Sequence, residues 1–150
     1  MKLCNITLNE NHIIISILFV KIKIKFNIFQ LSNYDKLRLF CDIKDLDKLL
    51  EKGLICDHPM SIFVHYKSFG YNNRIYQNVT IGAKNGNKSD FPDGYPVIGN
   101  NIVVYAGAVI VGNIEVGDNS VIAANSVVIN DVPPNSVVAG CPAKVIKQLK

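Results

Sequence analysis

The 150-residue sequence has no apolar run of membrane-spanning length at its most hydrophobic point, IIISILFV (13–20). Eight residues fall well short of the ~20 needed to cross about 30 Å of hydrocarbon as a helix. Lysines follow this run, in KIKIKFNIF (21–29), whereas a secretory signal carries its positive charge first and ends at a small-residue cleavage site. The alternation of Lys with apolar residues fits a two-faced strand or an irregular extension. Cysteine is sparse: Cys4, Cys41, Cys56 and Cys141 form no C-x-x-C pair and no Cys/His cluster at zinc spacing. That argues against a metal site and for free thiols in a reducing compartment. Tryptophan is absent, and a net charge of +4 is spread without the basic, aromatic-interleaved stripe of a nucleic-acid binder. The expectation is one soluble, cytoplasmic chain with no nucleic-acid partner and no membrane span. At this length roughly two-thirds of the unfolded surface can be buried, enough for a substantial core.

What is present changes along the chain. Residues 34–55, YDKLRLFCDIKDLDKLLEKGLI, hold helix formers with leucines at 37, 39, 46, 49 and 50, and Gly53 offers a stop signal. From Asp57 onward Val, Ile, Gly and Asn recur in short units. Ile98, Val104, Ile110, Val116, Ile122 and Val128 follow one another at a constant step of six. The fifth position of each unit reads Ile102, Ala108, Ile114, Ser120, Ser126 and Val132, which are small or aliphatic. A second register fits Phe63, Phe69, Ile75 and Ile81. The step from Ile81 to Ile98 is 17, so the two registers do not join; the intervening AKNGNKSDFPDGYP (83–96) has the chemistry of an excursion.

A six-residue period is the signature of a parallel β-helix. Each unit is a short strand and a turn, and three units close a triangular coil with the first position pointing inward. Gly70, Gly82, Gly99 and Gly117 follow first positions, and Asn or Asp fills turns at Asn100, Asn101, Asp118 and Asn119. These residues tolerate turn dihedrals that branched residues resist. A doubly wound α/β fold would need long amphipathic helices between strands, and residues 57–132 leave no room for them.

CDHPMSIFV (56–64), RIYQNVTIG (74–82) and the stretch from Ile102 to Ile146 resemble the hexapeptide-repeat acyltransferases, above all the serine acetyltransferase branch with its exopolysaccharide-acetyltransferase relatives. The resemblance implies a mainly β fold, a left-handed parallel β-helix over residues 56–150 with an extruded loop at 83–96 and a C-terminal tail. Residues 1–55 are then a short, partly helical N-terminal region. It also implies a homotrimer with acetyl-CoA as co-substrate in the groove between neighbouring β-helices, no metal, and a small-molecule acceptor bearing a hydroxyl, either serine or a sugar.

Acetyl transfer to a hydroxyl needs a base of pKa near operating pH, which suits histidine. CDHP matches the family's Asp-His element and makes His58 the candidate base, with Asp57 beside it as a substrate contact. The supporting aspartate of the family maps near Asp42, one residue out of step, with Asp45 as the fallback. His12 lies in the unassigned extension. His65, in FVHYKSFG, stands in place of a Gly-Glu-Thr-Ala element and either lines the acceptor pocket or faces solvent. After the loop, PDGYPVIGN (92–100) retains Asp93 but has Gly94 and Tyr95 where serine enzymes carry Arg and His. That loss removes a bidentate carboxylate clamp and leaves the Tyr95 hydroxyl. Ala83, Ala106, Gly107 and Ala124 match positions where main chain approaches the pantetheine arm, and Lys144 in AGCPAKVIK (139–147) a cation near the CoA phosphates. Cys141 reads as a small apolar filler. The competing class is a β-helix scaffold without turnover.

Overall fold

The computed structural model describes residues 32–85 and 93–150 in full, and the backbone of three further strands. Those three, β1 (Asn5–Asn9), β2 (His12–Ile17) and β3 (Val20–Lys25), pair as an antiparallel meander, with Ile6 opposite Ile15 and His12 opposite Lys25. They fall in a compact unit, Met1–Ser32; a second unit spans Asn33–Lys150. The His12 side chain lies outside the described residues.

The second unit begins with α1 (Asn33–Phe40), β4 (Asp42–Ile43) and α2 (Leu46–Glu51). Helix α2 stops as the sequence predicts. Gly53 has φ +84°, its N–H donates to Leu50 O (3.0 Å), and Leu54 N–H donates to Leu49 O (2.9 Å). This is a Schellman closure, and the buried pair Leu49 and Leu54 supplies its usual apolar contact. Leu37, Leu49 and Leu54 belong to the same core as the coils that follow, and β4 pairs in parallel with the first of them. The helical segment is thus an integral cap on the solenoid.

Three parallel sheets form the triangular spiral. The first stacks β4, β5 (Phe63–Val64), β8 (Thr80–Gly82), β11 (Val109–Val111) and β14 (Val127–Val128). The second holds β7 (Arg74–Ile75), β10 (Val103–Val104), β13 (Val121–Ile122) and β15 (Ser136–Gly140), and β16 (Ala143–Gln148) returns antiparallel along its edge. The third holds β6 (Ser68–Phe69), β9 (Val97–Ile98) and β12 (Glu115–Val116). Inward residues stack by column: Ile43, Val64, Ile81, Ile110 and Val128; Ile75, Val104, Ile122 and Val138; Phe69, Ile98 and Val116. From Val64 onward all are buried, and the fifth-position residues fill the corners between them. Two hydroxyls at those corners are satisfied: Ser120 Oγ donates to Pro133 O (2.9 Å), and Ser126 Oγ accepts from Gly140 N (3.3 Å).

Two features of the register differ from expectation. The inward residue of β5 is Val64, fully buried, while Phe63 is 42% exposed. The step from Val64 to Phe69 is five where Phe69, Ile75 and Ile81 are six apart, so counting back by six lands one position early; a second short step, Val128 to Val132, brings Val132 onto Val116. The two registers also join. Val104 pairs with Ile122, 18 residues ahead, and with Ile75, 29 behind. The excursion therefore inserts 11 residues into an uninterrupted spiral, and both sides stack on one another. Residues 86–92 of that excursion lie outside the described residues.

Turns follow the side-chain chemistry. Asn72, Asn78, Asn101, Asn119, Asn125 and Asn135 take φ between 55° and 59°, the left-handed region that asparagine enters readily. Asn101, Asn119 and Asn135 form a ladder, each Nδ2 donating to the next Oδ1 at 3.0 Å. Asp118 accepts from the Asn100 main chain at 2.7 Å and from its amide at 3.1 Å, which lowers its pKa. Cys141 is exposed at the turn into β16 and fills no cavity. Among the described residues no helix is long and apolar enough to cross a membrane.

Candidate active site

Two polar clusters form on the outer faces of the first coils. The first follows from strand alternation: Ile43 and Val64 point inward, so Asp42, Phe63 and His65 share the outer face of β4 and β5. Asp42 Oδ1 lies 3.2 Å from His65 Nε2. The His65 ring stacks on Phe63, centroids 4.6 Å apart and nearly coplanar at 7°. Gly82 leaves space under this stack, since a Cβ there would meet the Phe63 ring at 3.9 Å. The end of the excursion closes over the same face: the Tyr95 ring sits 6.5 Å from His65, and Lys67 Nζ bonds Asp93 Oδ1 at 2.8 Å. Asp42, His65 and Tyr95 are thereby brought together, and Asp93 is held nearby in the chain by Lys67. The hydrogen bond of Asp42 runs to His65 and was expected at His58. Asp45, the fallback, sits at the N-terminus of α2 with φ 52° and accepts from the Tyr66 hydroxyl at 3.4 Å. Burial and that carboxylate together push the Tyr66 pKa up to about 12.

The second cluster surrounds the Cys-Asp-His-Pro run. Cys56 and Pro59 are buried and anchor the corner, which leaves His58 exposed and Asp57 half-buried between them. The His58 carbonyl accepts from Met60 N at 2.8 Å. Asp57 Oδ2 pairs with Arg74 Nη1 at 3.1 Å. Arg74 projects outward because Ile75, its neighbour, belongs to an inward column; Tyr76 projects outward for the same reason and stacks on Tyr105, centroids 5.1 Å apart. A hydrogen bond to Tyr76, then the charge of Asp57, raises the Arg74 pKa above its ordinary value. Sequence reasoning did not single out Arg74. The signal was present, because subtracting the 11 inserted residues puts Tyr76 one coil below Tyr105 and Arg74 below Val103.

The small residues expected near a cofactor divide between two edges of the first sheet. Ala106 and Gly107 lie at the corner between β10 and β11, and Ala124 lies one coil on; Asn125 N donates to Ala106 O at 3.0 Å. Gly107 has φ +71°, a left-handed conformation that glycine adopts freely, and a Cβ there would press on the Asn125 side-chain oxygen, which would have to move. Ala83 follows β8 on the opposite edge, half-buried. Lys144 lies on β16, exposed and paired through its main chain with Ala139. Among the described residues no group of three or more His, Cys, Asp or Glu is arranged to hold a metal ion.

The stacked hexads carry a recognisable family signature: residues 95–130 match the model of the bacterial transferase hexapeptide (six repeats). The fold recurs at moderate identity in solved structures. The serine acetyltransferase of Neisseria gonorrhoeae superposes with a TM-score of 0.60 at 36% identity, over 65% of this chain and 38% of that one. That of Brucella abortus strain S19 in complex with coenzyme A gives a TM-score of 0.59 at 38% identity, again over 65% and 38%. The chain therefore carries hexapeptide repeats, and its coil is the left-handed parallel β-helix. Within that class it is similar to serine acetyltransferases: that of Staphylococcus aureus (strain Mu50 / ATCC 700699) is 40% identical over 98 residues, 65% of this chain and 45% of that protein. The enzyme of Synechococcus elongatus is 40% identical over the same length, 39% of that protein. The chain spans less than half the length of these curated relatives.

Proposed function

We propose that the protein is an acetyl-CoA-dependent O-acetyltransferase that acts on the L-serine hydroxyl as a cytoplasmic homotrimer. The observation that carries this reading is the 40% identity to serine acetyltransferases over 98 residues, which include the first coil with Cys56–Pro59 and the repeats. Exposed apolar residues on the lateral faces, Phe63, Tyr105 and Ile129 among them, favour association of copies side by side. Acetyl-CoA would then lie between neighbouring β-helices, with Ala83, Ala106, Gly107 and Ala124 admitting the main chain to its arm and Lys144 near its phosphates.

In this reading the imidazole of His58 takes the proton of the acceptor hydroxyl as its oxygen attacks the acetyl carbonyl carbon. Main-chain N–H groups of the coil steady the tetrahedral oxyanion. The C–S bond then breaks, and the imidazolium returns its proton to the departing CoA sulfur. No acyl-enzyme forms. A second assignment of the base is favoured by one observation: His65, not His58, has a carboxylate against its ring, which is how an imidazole is held in a useful tautomer.

His58→Gln and His65→Gln variants separate the two, with CoA release and acetyl-CoA binding measured side by side. Loss of a general base lowers kcat by about 10²–10⁴-fold with binding retained. That loss is expected at His58, with His65→Gln within about tenfold of the parent. The reverse result moves the base to His65, and full activity in both variants refutes an imidazole base. An acceptor panel including sugars tests serine against a saccharide hydroxyl. CoA binding with silence across the panel would indicate a scaffold.

A further inference from the structure

Gly94 and Tyr95 occupy the positions at which the resemblance predicts a guanidinium and an imidazole for the acceptor's carboxylate. The structure supplies a guanidinium elsewhere. We propose that Arg74, paired with Asp57 one residue before His58, is the carboxylate-binding residue of the acceptor site, and that the two side chains together recognise a zwitterionic hydroxy-amino acid. This deepens the acetyl-transfer reading and rests on it.

The chain has two arginines. Arg38, on α1, is committed to Asp47, its Nη2 bonding both carboxylate oxygens at 2.8 and 2.9 Å. Arg74 is held differently. It makes one contact to Asp57 and one to Tyr76, and its side chain remains 42% exposed. Most of its N–H donors are therefore available to a ligand, in the planar fork that matches a carboxylate. Asp57 likewise spends one oxygen on Arg74 and keeps further lone pairs for an ammonium group. The α-ammonium and α-carboxylate of an amino acid hang on one carbon, so their partners must be close neighbours of opposite charge, as Asp57 and Arg74 are at 3.1 Å. Arg74 also stands on a rigid element: its main chain pairs with Ile55 on one side and Val103 on the other. The Tyr76–Tyr105 stack walls the site along the same sheet face. A purely structural role explains less, because an exposed ion pair contributes little to stability. A neutral sugar has no carboxylate to match the charge and planar fork of the Arg74 guanidinium.

The test uses the full chain, the variants Arg74→Gln and Arg74→Lys, and two acceptors that differ only in the carboxylate, L-serine and L-serinamide. The parent should prefer L-serine by at least about tenfold in kcat/KM, the scale of one charge-assisted bidentate contact. Arg74→Gln should erase that preference through KM, with kcat/KM for L-serine falling at least about tenfold more than that for L-serinamide, and Arg74→Lys should restore part of it. A preference that survives in Arg74→Gln, or a parent that acetylates sugars and ignores serine, would overturn the proposal while leaving acetyl transfer intact. Should no acceptor release CoA, the acetyl-transfer reading fails on its own. Direct binding by saturation-transfer NMR then decides Arg74: loss of L-serine binding in Arg74→Gln supports it, and equal binding of L-serine and L-serinamide by the parent refutes it.

Discussion

Ile110→Ala probes the stacked columns directly. Ile110 is fully buried on β11, between Ile81 of the coil below and Val128 of the coil above. The substitution removes three carbons, a transfer loss of about 2.4 kcal/mol at roughly 0.8 kcal/mol per methylene. The walls of the vacancy belong to parallel strands tied on both sides and relax little, so a cavity contribution brings the total to about 3–4 kcal/mol. The unit Asn33–Lys150 has 118 residues; at about 2.1 cal/mol/K per residue its unfolding entropy near Tm is roughly 0.25 kcal/mol/K. Ile110→Ala should therefore lower Tm by about 12–16 °C, measured by circular dichroism or calorimetry at matched protein concentration. Val111→Ala, one residue along the same strand but facing outward and half-buried, should cost less than about 1 kcal/mol. Equal losses for the two variants, or a loss below about 1 kcal/mol at Ile110, would refute the inward column.

Gly99→Ala would place a Cβ 2.8 Å from the Val116 carbonyl oxygen of the next coil, a main-chain collision expected to cost about 1–3 kcal/mol in urea unfolding. Gly82→Ala, whose Cβ meets only the Phe63 ring at 3.9 Å, should stay within about 0.5 kcal/mol of the parent. Thiol chemistry should separate the cysteines. Burial pushes the Cys56 thiol up to about 12, so at pH 8 it is protonated as well as inaccessible, whereas Cys141 is exposed. Peptide mapping after brief iodoacetamide treatment should find Cys141 alkylated and Cys56 untouched until denaturant is added; early labelling of Cys56 would contradict the packing of the first coil.

Where the repeat runs unbroken, the fold was legible residue by residue. From Ile98 to Val132 every inward and corner position inferred from the step of six is buried. Legibility failed where the period changes. The five-residue corner after Val64 displaced the upstream register onto Phe63, and the inserted loop hid the continuity that stacks Ile81 beneath Ile110. The site was harder for the same reason. His65 and Asp42 are 23 residues apart, and only the pairing of β4 with β5 brings them onto one face. Asp57 stands out in the sequence for its place beside His58, whereas its partner Arg74 comes into view once the inserted residues are subtracted and Ile55 and Arg74 fall on adjacent coils. The small, apolar side chain of Cys141 suggests a filler, but a turn into an edge strand has no interior to fill.

Acetyl transfer is tested most directly by incubating the full chain with acetyl-CoA and L-serine and following free CoA thiol together with the acetylated product by mass spectrometry. CoA and O-acetylserine are expected in equal amounts, at a rate proportional to protein. Saturable acetyl-CoA binding with neither product formed, from serine or from any other hydroxyl acceptor, would contradict acetyl transfer.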